Sequence, residues 1–408
     1  MRHGGRARGG SALWFVVFAV AYGTNVPTPL LLHYRVDLGL SSTALTAAFG
    51  VYAAGLVPAL LLAGPLSDRI GRAKVVAPFV VLAAITSLAF LAVPSAVWTL
   101  YAARFLQGAV SGVVFSVGTA WLAELWPDGR PAQATAVALG GGWALGPLVS
   151  GLLGQWAPWP SVLPYLVHVA LLAPALVLVW RVPETLTHPR PGPLVNLGVP
   201  AGAGRAFGLV VVPIAIGVFA YAATAVNVLP LELEPVMPGV GVAVTGVVAG
   251  ITMGTGVAVQ PLVRRLGTTW SGAVALALGA AGTAVGLLAD TSGVWQLVLP
   301  VSVLLGLAYG ICLATGLTLV VRLADPTARG ALTGTFYACS YLGFFVPLLL
   351  ATVGGGRFGP GLAGLAAVSA VVAVWLATPA ARRLVSPRGR PAPAVPDAPR
   401  SATPPPPA

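Results

Sequence analysis

The densest set of ionisable side chains in this chain is Gly64-Pro65-Leu66-Ser67-Asp68-Arg69-Ile70-Gly71-Arg72-Ala73-Lys74, a short polar stretch between two long apolar runs. Gly64 and Gly71 allow a tight turn and close backbone approach. Asp68 is a short carboxylate able to pair with a guanidinium or accept from a helix N-terminus. Arg69, Arg72 and Lys74 stand where the next apolar run begins, as anchors at a membrane surface do. A second position with chemical potential is Arg104, several residues inside an apolar run, with Gln107 three residues on and able to share its face. On insertion scales a guanidinium at mid-span costs ~2.5–3.5 kcal/mol, so Arg104 is expected to face the interior of a helix bundle; the alternative is snorkelling toward the end of the run marked by Trp98.

Other titratable groups inside or beside apolar runs are few. His168 lies within the sixth run, and its unperturbed pKa of ~6.5 suits proton transfer, although a packed structural histidine is the plainer reading. Glu232 and Glu234 close the seventh run, Asp290 the ninth, and Glu124 the fourth. Cys312 and Cys339 fall inside apolar runs without thiol-rich spacing and read as packing residues, neither disulfide nor metal site. No H-E-x-x-H, no Ser/His/Asp set and no G-x-x-x-x-G-K-[ST] phosphate loop occurs, so enzyme chemistry, a bound metal, a cofactor and ATP as an energy source are not expected.

The elements that position these groups follow from composition. Hydrophobic residues make up 57% of the 408 and charged residues 8%, against about 25% charged in soluble domains. Length and spacing allow about twelve spans of ~20 residues. The first runs roughly Ala12 to Leu32, interrupted by Asn25, Pro27 and Pro29, and is read as a retained helix rather than a signal peptide. The formal charge of +12 does not indicate nucleic acid. With the N-terminus in the cytoplasm and the runs alternating, all Lys and Arg fall on the cytoplasmic side except Arg35, Arg357 and the intramembrane Arg104. Both termini are thus expected in the cytoplasm of a multi-pass plasma-membrane protein.

An internal repeat supports two halves. Tyr22, Asn25 and Pro27 are echoed by Tyr221, Asn227 and Pro230, and Gly64-Pro65-Leu66 with Arg69 and Gly71 by Gln260-Pro261-Leu262 with Arg265 and Gly267. Gly108 and Gly112 are echoed by Gly306 and Gly310, and Arg130 with Pro147 by Arg329 with Pro347. All offsets lie within 196–203 residues. The expected organisation is a cytoplasmic N-terminus at 1–11, six-helix bundles at 12–180 and 207–380, a proline-rich basic linker at 181–206, and a disordered proline-rich tail at 381–408.

Three motifs resemble those of the major facilitator superfamily. The 64–72 stretch resembles its motif A, G-x-L-x-D-R-x-G-R. Arg104-Phe105-Leu106-Gln107-Gly108 resembles motif B, R-x-x-Q-G. Gly142, Gly146, Pro147 and Gly151 resemble motif C, with Ser150 where that motif has a glycine. The resemblance covers about residues 11–380. It implies an all-α membrane protein of twelve transmembrane helices in two pseudo-symmetric six-helix halves, rocking around a midplane site. It also implies that the Asp68 hairpin (Gly64, Asp68, Arg69, Gly71, Arg72) docks on the second half to close the cytoplasmic side, and that Arg104 takes part in proton or substrate coupling. Motif C shifts the reading toward proton-driven export, although Asn25 stands where many such exporters carry an acid.

Coupling candidates are therefore Arg104, Gln107, His168, Glu232 and Glu234, and cavity candidates Asn25, Gln107, Trp143, Tyr221, Asn227, Tyr337 and Tyr341. A cavity of aromatics and amides suits an amphipathic or weakly polar solute. The implied partners are a small-molecule solute, protons and the lipid bilayer, with the protein a monomer. An importer or narrow-specificity exporter of a sugar or other metabolite is the second reading, and a non-transporting membrane sensor the third.

Overall fold

The computed structural model describes residues 2–126, 131–188, 197–266, 268–324 and 329–385. Arg130, Gly267, residues 189–196 of the linker and the tail from 386 lie outside them. Among the described residues, eleven helices are long and apolar enough to cross a membrane: α1 (Arg8–Leu38), α2 (Ser42–Ile70), α3 (Arg72–Ala92), α4 (Trp98–Leu125), α5 (Gln133–Trp156), α7 (Gly204–Val236), α8 (Gly241–Pro261), α9 (Thr269–Ser292), α10 (Trp295–Leu323), α11 (Gly330–Val353) and α12 (Gly359–Ala377). The twelfth, α6 (Leu163–Val179), has 17 residues, or about 26 Å at 1.5 Å per residue, just short of the ~30 Å hydrocarbon core. A short basic helix, α13 (Pro379–Val385), follows, so the tail expected from 381 begins as helix and Arg382 lies over the Trp270 ring.

The polar stretch 33–37, beyond the run that ends at Leu32, is the last turn of α1. It stays helical because its polar side chains find partners on other helices: His33 with the Gly154 carbonyl at 2.8 Å, and Arg35 donating to the Leu231 carbonyl. α1 breaks at a turn at 25–26, where Pro27 lacks the N–H that would continue the ladder. α7, its counterpart in the second half, loosens to a π-helical turn at Thr224–Val228, an irregularity often found at functional sites.

The buried apolar residues form two cores. One fills the end of the first half that carries the α2–α3 hairpin: Leu13 to Ala21 of α1, Val75 to Ala83 of α3, Val110 to Leu125 of α4, and Leu172 to Val179 of α6. The other joins the opposite end of the first half (Leu30, Leu45, Phe90, Leu100, Tyr165) to the whole of the second half. The halves are thus fused at the Arg35 end, while at the hairpin end the first half keeps a core of its own. Inter-half hydrogen bonds among the described residues reinforce the Arg35 end. Besides Arg35 to Leu231, Gln155 donates to the Gly239 carbonyl at 2.8 Å and accepts from the Ala243 amide at 3.2 Å.

Candidate functional site: a broken helix, a buried arginine and an aromatic cavity

The break in α1 organises the centre of the first half. Pro27 cannot donate to the Gly23 carbonyl, which accepts instead from the Val26 amide at 3.3 Å and from the side-chain amide of Gln107 at 2.8 Å. The neighbouring Thr24 carbonyl accepts from Arg104 Nη1 at 3.1 Å, and the same nitrogen donates to Gln107 Oε1 at 2.9 Å. The Val26 carbonyl accepts from Ser150 Oγ at 2.6 Å. Motif B from α4 and the serine of motif C from α5 therefore converge on three successive or near-successive carbonyls of one broken helix. Ser150, the departure from the family pattern, supplies a donor that glycine could not.

Arg104 is 1% exposed, so it faces the bundle and does not snorkel. Its guanidinium lies 4.7 Å from the Phe49 ring centroid and 5.7 Å from that of Tyr52. Tyr34 and Tyr165, joined hydroxyl to hydroxyl at 3.0 Å, complete its surroundings. Nε and Nη2 have no hydrogen-bond partner.

The glycines of motifs B and C set how closely these helices approach. A Cβ on Gly146 would stand 2.0 Å from the Tyr22 carbonyl of α1, and one on Gly142 2.7 Å from the Tyr22 amide. Gly108 likewise meets the Tyr52 carbonyl of α2. Gly151 faces the other way, backbone against Gly246 of α8, so motif C packs α5 on α1 with one face and on the second half with the other.

Between the halves lies a cavity lined by Thr24, Asn25, Phe49, Tyr52, Trp143 and Met253, with Phe219, Tyr341 and Phe344 among the other walls. In this conformation its free volume is about 20 Å³, so the rings leave only water-sized gaps. Phe219 stacks on Tyr341 at 4.6 Å and on Phe344 at 4.7 Å, while Trp143 meets Phe219 edge-on at 6.3 Å. No carboxylate lines it. Of the cavity candidates, Asn25, Trp143 and Tyr341 are walls, whereas Gln107 is taken up by α1.

The remaining candidates sit elsewhere. Tyr221 points away from the cavity: its ring fills the space above Gly279 of α9, and its hydroxyl donates to Ser369 of α12 at 2.8 Å. Tyr337 packs against Phe336 and is not a cavity wall. Asn227 is 2% exposed with neither amide atom partnered, one residue beyond the wall residue Val226. His168 uses both ring nitrogens, Nδ1 with Ser87 Oγ at 2.6 Å and Nε2 with the Ala19 carbonyl at 3.0 Å. It stacks on Tyr22 at 5.9 Å, a tie between α1, α3 and α6. Glu232 accepts from the Phe358 amide at 3.4 Å and Glu234 lies beyond it, six and eight residues past Val226, or about 9–12 Å along the helix.

The hairpin forms an ion network within its own half. Arg72 pairs with Asp68 at 2.7 Å and with Glu124 at 2.9 Å, and also donates to Ser67 Oγ. Thr185 donates to the second oxygen of Glu124. Gly71 turns the chain at φ 109°, a conformation suited to glycine, and a Cβ there would meet Glu184 Oε2 at 2.7 Å. That carboxylate caps the start of α3 by accepting from the Ala73 amide at 3.0 Å. Burial raises the Glu184 pKa, but backbone amides of Leu186, Ala73, Arg72 and Thr185 outweigh it and hold the group below its ordinary value. The expectation that Asp68 docks on the second half thus meets an Asp68 whose ion partner is Arg72 of its own hairpin. Glu184 was not singled out in the sequence, since its role depends on a chain separation of 111 residues.

Two six-helix bundles around a shared cavity, tied by a helix broken at mid-membrane, define a multi-spanning membrane transporter. The family model of the Major Facilitator Superfamily matches residues 13–347, and the chain belongs to that superfamily. The fold is that of the peptide transporter POT in a mutant form (TM-score 0.75, 15% identity, covering 92% of this chain and 95% of that one) and of a D-xylose-proton symporter (TM-score 0.66, 16% identity, 90% and 96%). Multidrug resistance protein MdtL of Escherichia coli (strain K12 / DH10B) is 35% identical over 130 residues, 31% of this chain and 33% of that protein. MdtL of Shewanella oneidensis is 33% identical over 147 residues, 35% and 36% of the two chains. The match spans about a third of the length of these relatives.

Proposed function

We propose that this chain exports a drug-like or amphipathic compound from the cell, coupled to protons, by rocking its halves around the aromatic cavity. The observation that carries this reading is the cavity itself: rings and an amide at the junction of two bundles that share a core at one end only. Motif C and the partial likeness to proteins named for multidrug resistance support export. In this reading the hairpin end faces the cytoplasm with both termini, as the arginine distribution requires, and the Arg35 end is the closed outer side. The protein sits in the plasma membrane as a monomer, and the Arg72 network opens and re-forms as the halves move.

The test is accumulation of fluorescent amphiphiles, cationic and anionic, in cells expressing the chain, with and without a protonophore. Exclusion that collapses with the protonophore and is absent in Asp68→Asn, while that variant still inserts, supports the reading. Uptake driven by an inward solute gradient refutes export. The water-sized gaps left by the rings favour one alternative, a narrow-specificity transporter of a small metabolite. It would show as flux of one compound in a metabolite panel and none of the dyes.

A further inference from the structure

Among the described residues, the buried positive charge of Arg104 has no negative partner. Of the ten acids, Asp68 and Glu124 are taken by Arg72 and Glu184 by the α3 amides at the hairpin end. Asp37, Glu232, Glu234 and Asp290 stand at the Arg35 end of their helices, and none is among the groups that act on Arg104 there, which are Tyr165, Tyr52 and Tyr34. Asp128, Asp325 and Asp397 lie outside the described residues. An ion withdrawn from water costs several kcal/mol after relaxation. Contact with Phe49 and Tyr52 returns about 0.5–2 kcal/mol and uses no N–H donor. Closing the Thr24 carbonyl does not need a charge either, because Gln107 performs the same task for Gly23 with a neutral amide.

The geometry of what is left unpaired is informative. Nη1 makes both of the hydrogen bonds, whereas Nε and Nη2 make none. Those two nitrogens form one edge of the guanidinium, the edge whose parallel N–H bonds match the two oxygens of a carboxylate. The cavity is one side chain away: Thr24, Phe49 and Tyr52 each touch Arg104 and each line the cavity. The Tyr34–Tyr165 hydroxyl pair, which spends only one of its two protons on itself, is a neighbouring donor.

We infer that the cargo is an aromatic or otherwise apolar carboxylate, and that Arg104 receives its carboxylate through Nε and Nη2 while the rings of the cavity hold its apolar part. This rests on the transporter reading above and specifies its substrate class. It also assigns the charge selectivity of the site to one residue, since nothing in the cavity wall repels an anion.

The test uses the full chain in lipid nanodiscs and three probes of one shape: 1-naphthoate, its neutral amide 1-naphthamide, and the cation 1-naphthylmethylamine. Calorimetric titration should show naphthoate binding at least tenfold more tightly than naphthamide, with the amine weaker still. Arg104→Gln, which retains a donor for the Thr24 carbonyl, should reduce naphthoate to the level of naphthamide. Arg104→Lys should keep part of the preference, because charge remains and the two-pronged edge does not. The ratio between probes is the readout, since a merely structural role would weaken all three alike. Wild-type protein that binds amide or amine as tightly as naphthoate overturns the inference, whatever the variants do. So does a naphthoate preference that survives in folded Arg104→Gln. In proteoliposomes, amine flux driven by a proton gradient and unaffected by Arg104→Gln would refute the anion site and leave the transporter standing. Binding and flux of none of the three would count against both.

Discussion

Replacing Gly146 by alanine adds one methyl group at the closest approach of α1 and α5. That methyl would lie 2.0 Å from the Tyr22 carbonyl oxygen, 2.9 Å from its carbon and 3.3 Å from its Cα. Ordinary contact begins at 3.4 Å, so the two helices must part locally by about 1.4 Å, or α5 must shift along its axis. Neither is cheap, because the obstacle is backbone and the same helix face carries Ser150, whose 2.6 Å bond to Val26 closes the α1 break. Overpacking of this kind costs ~1–3 kcal/mol. Against it stands the ~0.5–1 kcal/mol that alanine gains over glycine inside a helix, leaving a net loss of roughly 0.5–2 kcal/mol. Gly254→Ala is the control, since nothing lies within 4 Å of a Cβ there and only the gain applies. In a detergent melt followed by size-exclusion chromatography, Gly146→Ala should unfold some degrees below wild type and Gly254→Ala at or above it. Equal melting of the two variants would refute the claim that motif C is a close-packing seam between α1 and α5.

Further predictions concern the polar groups. Ser150→Ala removes the donor to a buried carbonyl and should lower stability by ~1 kcal/mol, read in the same melt, while Ser150→Thr should lie between the two. Arg72→Met leaves Asp68 and Glu124 facing each other without their shared cation. It should reduce dye export at least as severely as Asp68→Asn, with surface expression as the control, and unchanged export would remove the network from the mechanism. Glu184 is held below its ordinary pKa by backbone amides that outweigh its partial burial. Its contribution to stability is therefore present above its unfolded value, near 4.5, and lost as pH falls through the lower folded one. The melting gap between wild type and Glu184→Gln should accordingly be present at neutral pH and close in acid; a gap independent of pH would contradict the α3 capping role.

Composition and the spacing of apolar runs determined the membrane setting, the count of spans and their grouping in two halves. Each of these follows from local rules: a span must satisfy its own backbone, and a duplicated unit repeats its punctuation. Pro27 was legible as an interruption of the first run because proline acts through the backbone it occupies. Which groups answer that break was not legible. Gln107, Arg104 and Ser150 lie 84, 80 and 124 residues from the carbonyls they serve, and only the packing of α4 and α5 on α1 brings them there. The same limit explains Tyr221 and His168. A polar side chain on an apolar helix shows its chemistry in the sequence but not its azimuth, and the azimuth sent Tyr221 to Ser369 and His168 to Ser87 and Ala19, away from the cavity. It sent Arg104 to the cavity's edge with two donors unused, a matter of which helix face packs inward and which neighbours arrive without an acid.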